Sequence, residues 1–126
     1  MAGIARSGFV WHELMTTDVE AAREFYREVT GLTTDVGDYP MLMDGGQPVG
    51  GLVGPTGQGP VWPSGGPEAH WIAYIGVEDV DAAVQRAQSL GGEILLPPVD
   101  VPGFGRAAVL RDPQGAAFGL FTVQPG

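Results

Sequence analysis

The sequence predicts an α+β fold built from two tandem βαβββ modules. Three observations predict it. An internal repeat makes Asp18–Ala22 (DVEAA) recur as Asp79–Ala83 (DVDAA), 61 residues later. A second block, Met41–Asp44, recurs as Val109–Asp112, 68 residues later. In each copy an amphipathic helical pattern stands between short apolar stretches typical of strands. The two blocks keep their order, which indicates a duplication with seven extra residues in the second copy.

Module one is predicted at about residues 6–53. After its first strand, Thr17 or Asp18 caps a helix that runs to about Thr30. Gly31 ends the helix, because a left-handed conformation costs a glycine little. Apolar spacings of three and four residues predict one buried face, formed by Val19, Ala22, Phe25, Tyr26 and Val29. The strands are predicted near 8–16, 33–36, 39–44 and 47–53.

Module two is predicted at about residues 70–124. Its helix has a single apolar stripe that Gly91 and Gly92 end. The stripe comprises Val80, Ala83, Val84, Ala87 and Leu90. We place the seven-residue insertion at Pro97–Gly103, because proline and glycine interrupt regular structure. Strands are predicted near 93–97, 106–111 and 116–123, with Asp112–Gly115 as the turn before the last of them.

The segment between the modules, residues 54–69, is rich in glycine and proline and is predicted to be a linker. It contains Trp62. Since an exposed tryptophan is unfavourable, we expect Trp62 to pack on a pocket rim, on the partner module or on a second chain.

Composition narrows the classes of function. The 126 residues suit one domain, 1–126, and no apolar run approaches the roughly 20 residues of a membrane span. Met1–Gly8 has no apolar core typical of a secretory signal, and the chain has no cysteine, so we expect a cytoplasmic protein. The net charge of −9 makes nucleic acid and membrane surfaces poor partners and favours a cationic ligand.

These motifs together resemble the vicinal-oxygen-chelate superfamily, which groups glyoxalase I, bleomycin-resistance proteins and extradiol dioxygenases. The similarity rests on the repeated capping aspartates, Phe25-Tyr26 with Gly31, and Asp112–Gly115, and it covers about residues 7–123. Val10–Leu14 with His70–Tyr74 resembles an actinobacterial glyoxalase-like branch. The resemblance implies a cupped mixed sheet with the helices outside, a small-molecule ligand between the modules, and a homodimer.

The resemblance also implies where a metal would be held, and this sequence departs from that pattern. In catalytic relatives, one ligand precedes each capping aspartate by seven residues and one lies in each last strand. Those positions here are Trp11, Ile72, Gly51 and Gly119, none of which has a metal-binding side chain. We therefore expect no metal and no other cofactor.

Two histidines and a glutamate lie near these positions. Strand alternation turns His12 away from the interior, where we expect a hydrogen-bonded core histidine. His70 and Glu13 face the interior, and two ligands fall short of the three or four that a stable site needs. A shifted ligand set of His12, Glu13 and His70 is kept as an alternative.

Alternation along the first strand of each module predicts the lining of the ligand site. The two last-strand glycines are expected to leave free space against bare backbone. The predicted ligand-binding residues are Trp11, Glu13, Met15, Gly51, Trp62, His70, Ile72, Tyr74, Phe104 and Gly119. Phe104, between two glycines, is a candidate flap, while Arg106 could reach a ligand acid or Glu13.

Glu13 and Tyr74 are the candidate catalytic residues. A carboxylate among apolar side chains needs a partner or a raised pKa, and Tyr74 or a backbone amide could be that partner. Four functions stay open: a metal-free binding protein of the bleomycin-resistance type, a metal-independent lyase, isomerase or hydroxylase-like enzyme using Glu13, a metalloenzyme with shifted ligands, and a non-catalytic subunit. The first is favoured.

Overall fold

The computed structural model describes residues 7–35, 37, 39–54 and 69–124. Trp62 and most of the predicted linker lie outside these residues. The chain divides into two compact units, one of His12–Trp71 and the other of Ile72–Gly126 with Met1–Trp11. Both boundaries fall within first strands of the repeat, so the two modules are described in turn.

Module one has the predicted order of elements. Its strands run in the order β2-β3-β4-β1, with β1 and β4 parallel and the other pairs antiparallel. The elements are β1 (Gly8–Met15), α1 (Val19–Thr30), β2 (Thr33–Thr34), β3 (Met41–Asp44) and β4 (Gln47–Val53). A parallel β1–β4 pair needs a crossover, which α1 and the β2–β3 hairpin supply.

Helix α1 begins and ends as predicted. The Asp18 side chain accepts a hydrogen bond from the Ala21 amide at 3.0 Å, and Gly31 adopts φ 81° at the C-terminal end. The predicted buried face is partly wrong, because Phe25 is 57% and Val29 64% exposed. Successive helical residues lie about 100° apart, so the partial burial of Tyr26 leaves Phe25 at the flank of the helix. Val29, four residues after Phe25, lies on that same exposed side.

Module two repeats this arrangement. Its strand order is β5-β8-β7-β6, again with the first strand parallel to the last and antiparallel pairs elsewhere. The elements are β5 (His70–Gly76), α2 (Val80–Ser89), β6 (Glu93–Val101), β7 (Gly105–Arg111) and β8 (Ala117–Val123). The α+β class and the tandem βαβββ architecture are confirmed. In the described part of the chain, both helices are too short or too polar to cross a membrane.

Helix α2 buries Val80 and Val84 in a cluster with side chains of β7 and β8. Leu90, the last residue of the predicted stripe, is 62% exposed, so its predicted burial is wrong. The helix ends at Ser89, and the amides of Leu90 and Gly92 both donate to the Ala87 carbonyl. The chain therefore leaves helical geometry before Leu90 can extend the stripe.

Strand β6 continues through the prolines that were predicted to interrupt it. It extends to Val101, with register shifts against β7 between Ile94 and Leu96 and between Leu96 and Val99. Strand β6 is last in the strand order, where a residue without an amide hydrogen is tolerated. The shifts absorb extra residues, so the insertion lengthens the strand instead of ending it.

Arg106 ties three elements of module two together. Its guanidinium donates to both carboxylate oxygens of Asp81, at 2.8 and 3.0 Å, and to Asp100 at 3.0 Å. These contacts join the start of β7 to the first turn of α2 and to β6. The guanidinium of Arg106 therefore forms ion pairs within module two, with Asp81 and Asp100, where the sequence had suggested a contact with a ligand acid or Glu13.

We expect the contribution of the Arg106–Asp81 pair to stability to vanish in acid. Hydrogen bonds from Arg106, and then its charge, hold the pKa of Asp81 below its ordinary value of 3.8. A carboxylate with a lowered folded-state pKa stabilises the fold above its unfolded-state pKa and stops doing so as pH falls through the folded-state value. Thermal unfolding of Arg106→Gln should show a melting temperature a few degrees below the original at pH 7, and a smaller difference at the lowest pH at which both proteins still fold. An equal gap at both pH values would contradict this assignment.

Candidate functional site

One face of the module-one sheet packs on α1. Leu14, Leu42 and Leu52 form a buried cluster there with Ala22 of the helix. Since side chains alternate along a strand, their neighbours Glu13 and Gly51 lie on the opposite face. Strand register makes a row across that face, Met41–Gly51–Glu13.

Glu13 is a buried carboxylate on this face, with 1% of its surface exposed. The hydroxyl of Tyr39, which is half-buried, donates a hydrogen bond to its Oε2 at 2.5 Å. Of the two alternatives predicted for Glu13, a partner or a raised pKa, the structure shows a partner. The partner identified here is Tyr39, where sequence reasoning had considered Tyr74 or a backbone amide.

The ring of Tyr39 lies against the backbone of Gly51. A Cβ built at Gly51 would fall 2.9 Å from Tyr39 Cε1 and closer still to its Cζ and hydroxyl. No side chain larger than hydrogen fits there without moving the tyrosine. The predicted free space over Gly51 is therefore wrong, because a ring from the segment before β3 fills it.

Module two has an equivalent row, Val109–Gly119–Tyr74. Its three members match Met41, Gly51 and Glu13 at the offsets of the sequence repeat. Here the first-strand residue fills the space itself, since a Cβ at Gly119 would lie 2.5 Å from Tyr74 Cε2 and 2.7 Å from Cγ. The predicted free space over Gly119 is also wrong.

Tyr74 is held firmly in this position. It is 2% exposed, and its ring makes an edge-to-face contact with Phe121 at 6.3 Å between centroids. Such aromatic pairs add stability beyond their buried area. A role for Tyr74 in catalysis stays a prediction.

The residues present do not fit the metal site of the catalytic relatives. Trp11 and Ile72 lack metal-binding atoms in their side chains, and tyrosine rings cover the two glycine positions. The shifted set does not form either. Within the described residues, no three His, Cys, Asp or Glu side chains make a group that could hold a metal ion.

His12 is exposed, so its predicted place in the core is wrong. It lies on the same side of β1 as Leu14. The apolar side chains of α1 cover Leu14 and leave His12 uncovered. The burial of Glu13 and the exposure of His12 show that the two neighbours face opposite ways.

The other predicted site residues differ in burial. Met15 is 0% and Ile72 2% exposed, while Trp11, His70 and Phe104 are half-buried. The backbone of Phe104 is tied on both sides, because its amide donates to Val101 and its carbonyl accepts from Gln124. Movement of Phe104 as a flap would have to break these bonds. Ligand contacts of these residues stay predictions.

Tyr39 is the site residue that sequence reasoning missed. Alternation backward from Met41 places Tyr39 on the same side of the chain as Met41, which neighbours Gly51. The repeat also held a signal. Tyr74 has the size to cover Gly119 in module two, whereas Glu13 at the same repeat position is too small to cover Gly51, which leaves room there for a side chain from elsewhere.

Comparison with known proteins agrees with the fold. The sequence model of the family described as "Glyoxalase/Bleomycin resistance protein/Dioxygenase superfamily" matches residues 8–120. CFP32 of Mycobacterium tuberculosis, provisionally named a glyoxylase, is 37% identical over 122 residues, covering 92% of this chain and 44% of CFP32. The anthracycline biosynthesis protein DnrV of Streptomyces peucetius is 32% identical, covering 96% of this chain and 49% of DnrV. The chain thus spans about half the length of these relatives.

Solved structures share the fold at low sequence identity. A single-residue variant of methylmalonyl-CoA epimerase from Streptomyces coelicolor has a TM-score of 0.61 with 20% identity, covering 96% of this chain and 100% of the epimerase. A hypothetical protein of Bacillus halodurans, BH1468, has a TM-score of 0.63 with 15% identity, covering 97% of this chain and 98% of BH1468. At these identities the similarity concerns the fold alone.

Proposed function

Because this chain belongs to the glyoxalase/bleomycin resistance protein/dioxygenase superfamily, we propose that it binds a small hydrophobic molecule, without a metal, through the sheet face that carries Glu13. The observation that supports this most directly is the Glu13–Tyr39 pair. A buried carboxylate that accepts a hydrogen bond on an apolar face is suited to a ligand with a hydrogen-bond donor.

The chemistry of the face favours an apolar ligand body with a polar end. Met15 and Val53 lie on the Glu13 side of their strands and are almost fully buried. A carboxylate among such side chains forms stronger hydrogen bonds than it would in water. The net charge of −9 would attract a cationic ligand over longer distances.

Antibiotic-like polycyclic molecules are the substrate class that we propose to test first. DnrV is named for anthracycline biosynthesis. An anthracycline combines fused aromatic rings with hydroxyl donors and an ammonium group, which matches an apolar face with a carboxylate. Sequestration of such a compound would need no chemical step.

We expect daunorubicin to bind the protein, and Glu13→Gln to weaken that binding about tenfold. Glutamine keeps the shape of glutamate and loses the charge-assisted hydrogen bond. Quenching of daunorubicin fluorescence measures the affinity of both proteins. Glu78→Gln removes the same negative charge at an exposed position. It is the matched control and should leave the affinity unchanged. Equal weakening by both changes would leave Glu13 without a specific role, and no binding by the original protein would reject this ligand class.

A metal-independent enzyme is the second candidate, and the same pair of residues favours it. A phenol and a carboxylate 2.5 Å apart can pass a proton between them, as general acid–base catalysis requires. Mass spectrometry of the binding mixtures after incubation separates the two proposals. A product whose formation Glu13→Gln abolishes would favour the enzyme, whereas unchanged ligand favours binding alone.

A further inference from the structure

The two modules fill the space over their last-strand glycines by different means. In module two the filler is Tyr74, a fully buried residue of strand β5. In module one the filler is Tyr39, a half-buried residue that precedes β3. A strand residue is held by the ladder on both sides, so Tyr74 is a permanent part of its sheet. Tyr39 lies outside the strands, two residues before β3 begins.

The backbone beside Tyr39 is fixed, while its side chain extends from it. The Met41 amide donates to the Asp35 carboxylate at 2.6 Å, and the Leu52 amide donates to the Pro40 carbonyl at 2.9 Å. These bonds secure the chain immediately after Tyr39. Rotation of the Tyr39 side chain would remove its ring from the backbone at Gly51 and its hydroxyl from the carboxylate of Glu13.

The surface that Tyr39 covers is shaped for an aromatic ring with a hydroxyl group. A flat ring can lie on the backbone at Gly51 because this residue has no Cβ, and the hydroxyl then reaches Glu13. An aliphatic ammonium could bond to Glu13, but it would leave the flat space over Gly51 unfilled. A hydroxyaryl group, like the Tyr39 side chain itself, both fills that space and donates to the carboxylate.

We propose that Tyr39 occupies a hydroxyaryl subsite of the protein's own ligand, and that a phenolic ring of the ligand replaces the Tyr39 side chain over Gly51 and donates to Glu13. This rests on the proposed binding function and adds the chemical class of the group bound there. Tyr39 is then a specificity-determining residue, because ligands bind only if they can replace both its ring and its hydroxyl.

The test uses 2-naphthol and 2-methoxynaphthalene, which have the same fused ring and differ in the hydrogen-bond donor. Tyr39→Ala should bind 2-naphthol about tenfold or more tightly than the original protein does, because the probe no longer has to displace a side chain. The same variant should prefer 2-naphthol to 2-methoxynaphthalene. Calorimetric titration measures all four affinities. Equal affinity of both proteins for 2-naphthol, or no preference between the probes, would overturn the proposal.

Two further changes in the Tyr39→Ala background locate the probe. Adding Glu13→Gln should reduce the preference for 2-naphthol, since the charged acceptor is gone. Adding Gly51→Ala should weaken binding of both probes, since its Cβ enters the space of the ring. If either second change leaves the affinities as they were, the probe binds elsewhere and the subsite is rejected.

A measurement on the original protein keeps the test decisive even if Tyr39→Ala fails to fold. Of the three tyrosines, the ¹³Cζ resonance of Tyr39 in tyrosine-labelled protein is assigned by its loss in Tyr39→Phe. Saturating 2-naphthol should shift this resonance, and 2-methoxynaphthalene should not. An unmoved resonance under saturation contradicts displacement.

Failure of the hydroxyaryl subsite can be distinguished from failure of the proposed binding function. Failure of the original protein to bind daunorubicin, with tight binding of 2-naphthol by Tyr39→Ala, would reject the proposed ligand and retain the subsite. Glu13-dependent daunorubicin binding without any effect of Tyr39 would do the reverse.

Discussion

Gly119→Ala is expected to lower the free energy of unfolding by about 2–3 kcal/mol, in the upper part of the range for overpacked cores. The new methyl group would meet Tyr74 at Cγ and along one edge of its ring. Cγ is the root of the ring, so the clash cannot be relieved without a change of rotamer or backbone. Tyr74 is fully buried, which leaves no free space for such a change. Urea unfolding followed by circular dichroism measures the loss.

Gly51→Ala is the matched control for this prediction. There the new methyl group meets the far end of Tyr39, its hydroxyl, Cζ and Cε1, and that side chain is half-buried. It can rotate away at the loss of its hydrogen bond to the Glu13 carboxylate, which should cost about 1.5 kcal/mol, the lower end for a bond to a charged group. Combining Gly119→Ala with Tyr74→Leu should recover part of the loss, because the ring is then absent. Similar costs at both glycines, with additive effects of the double change, would refute the interpretation.

Leu110→Ala is expected to lower the free energy of unfolding by about 2–5 kcal/mol. Leu110 is 0% exposed and packs in the cluster beneath α2 with Val84 and Leu120. Truncation removes apolar contacts and leaves a cavity in a region formed by two strands and a helix. Guanidinium unfolding of the purified variant gives the value.

Leu90→Ala tests the same substitution at a position that the sequence pattern also assigned to the core. Because Leu90 is 62% exposed, we expect a change within about 0.5 kcal/mol. A loss above about 1 kcal/mol at Leu90 would mean that its side chain is buried in solution. The two leucines together therefore test where the apolar stripe of α2 ends.

Both modules use a tyrosine to close the same position of the sheet, and this carries the functional argument. In module two the ring is that of Tyr74, a buried residue of the first strand. In Tyr39 the ring belongs to a neighbouring segment and is bonded to a buried carboxylate. The module whose ring comes from outside its first strand also has the acidic group, which is why we propose the ligand site in module one.

The sequence by itself determined the features that depend on local interactions. The repeat, the order βαβββ in each module, the capping aspartates and Gly31 were all predicted and are confirmed. Caps and helix ends depend on residues three or four positions apart, and alternation along a strand follows from its backbone geometry. The face on which Glu13 lies, and its need for a partner, were predictable for the same reason.

Only the tertiary structure decided which side chains fill the space that the pattern leaves open. Free space over Gly51 and Gly119 was a reasonable prediction from strands alone, yet Tyr39 and Tyr74 occupy it. Their positions depend on contacts between residues far apart in the chain, such as Tyr39 and Glu13, 26 residues apart. The exposure of Phe25 and Leu90 has the same origin, because burial of a helical side chain depends on what lies opposite it. A local pattern predicts the face of an element on which a side chain lies. Only the packing of residues far apart in the chain decides which side chain fills a given space.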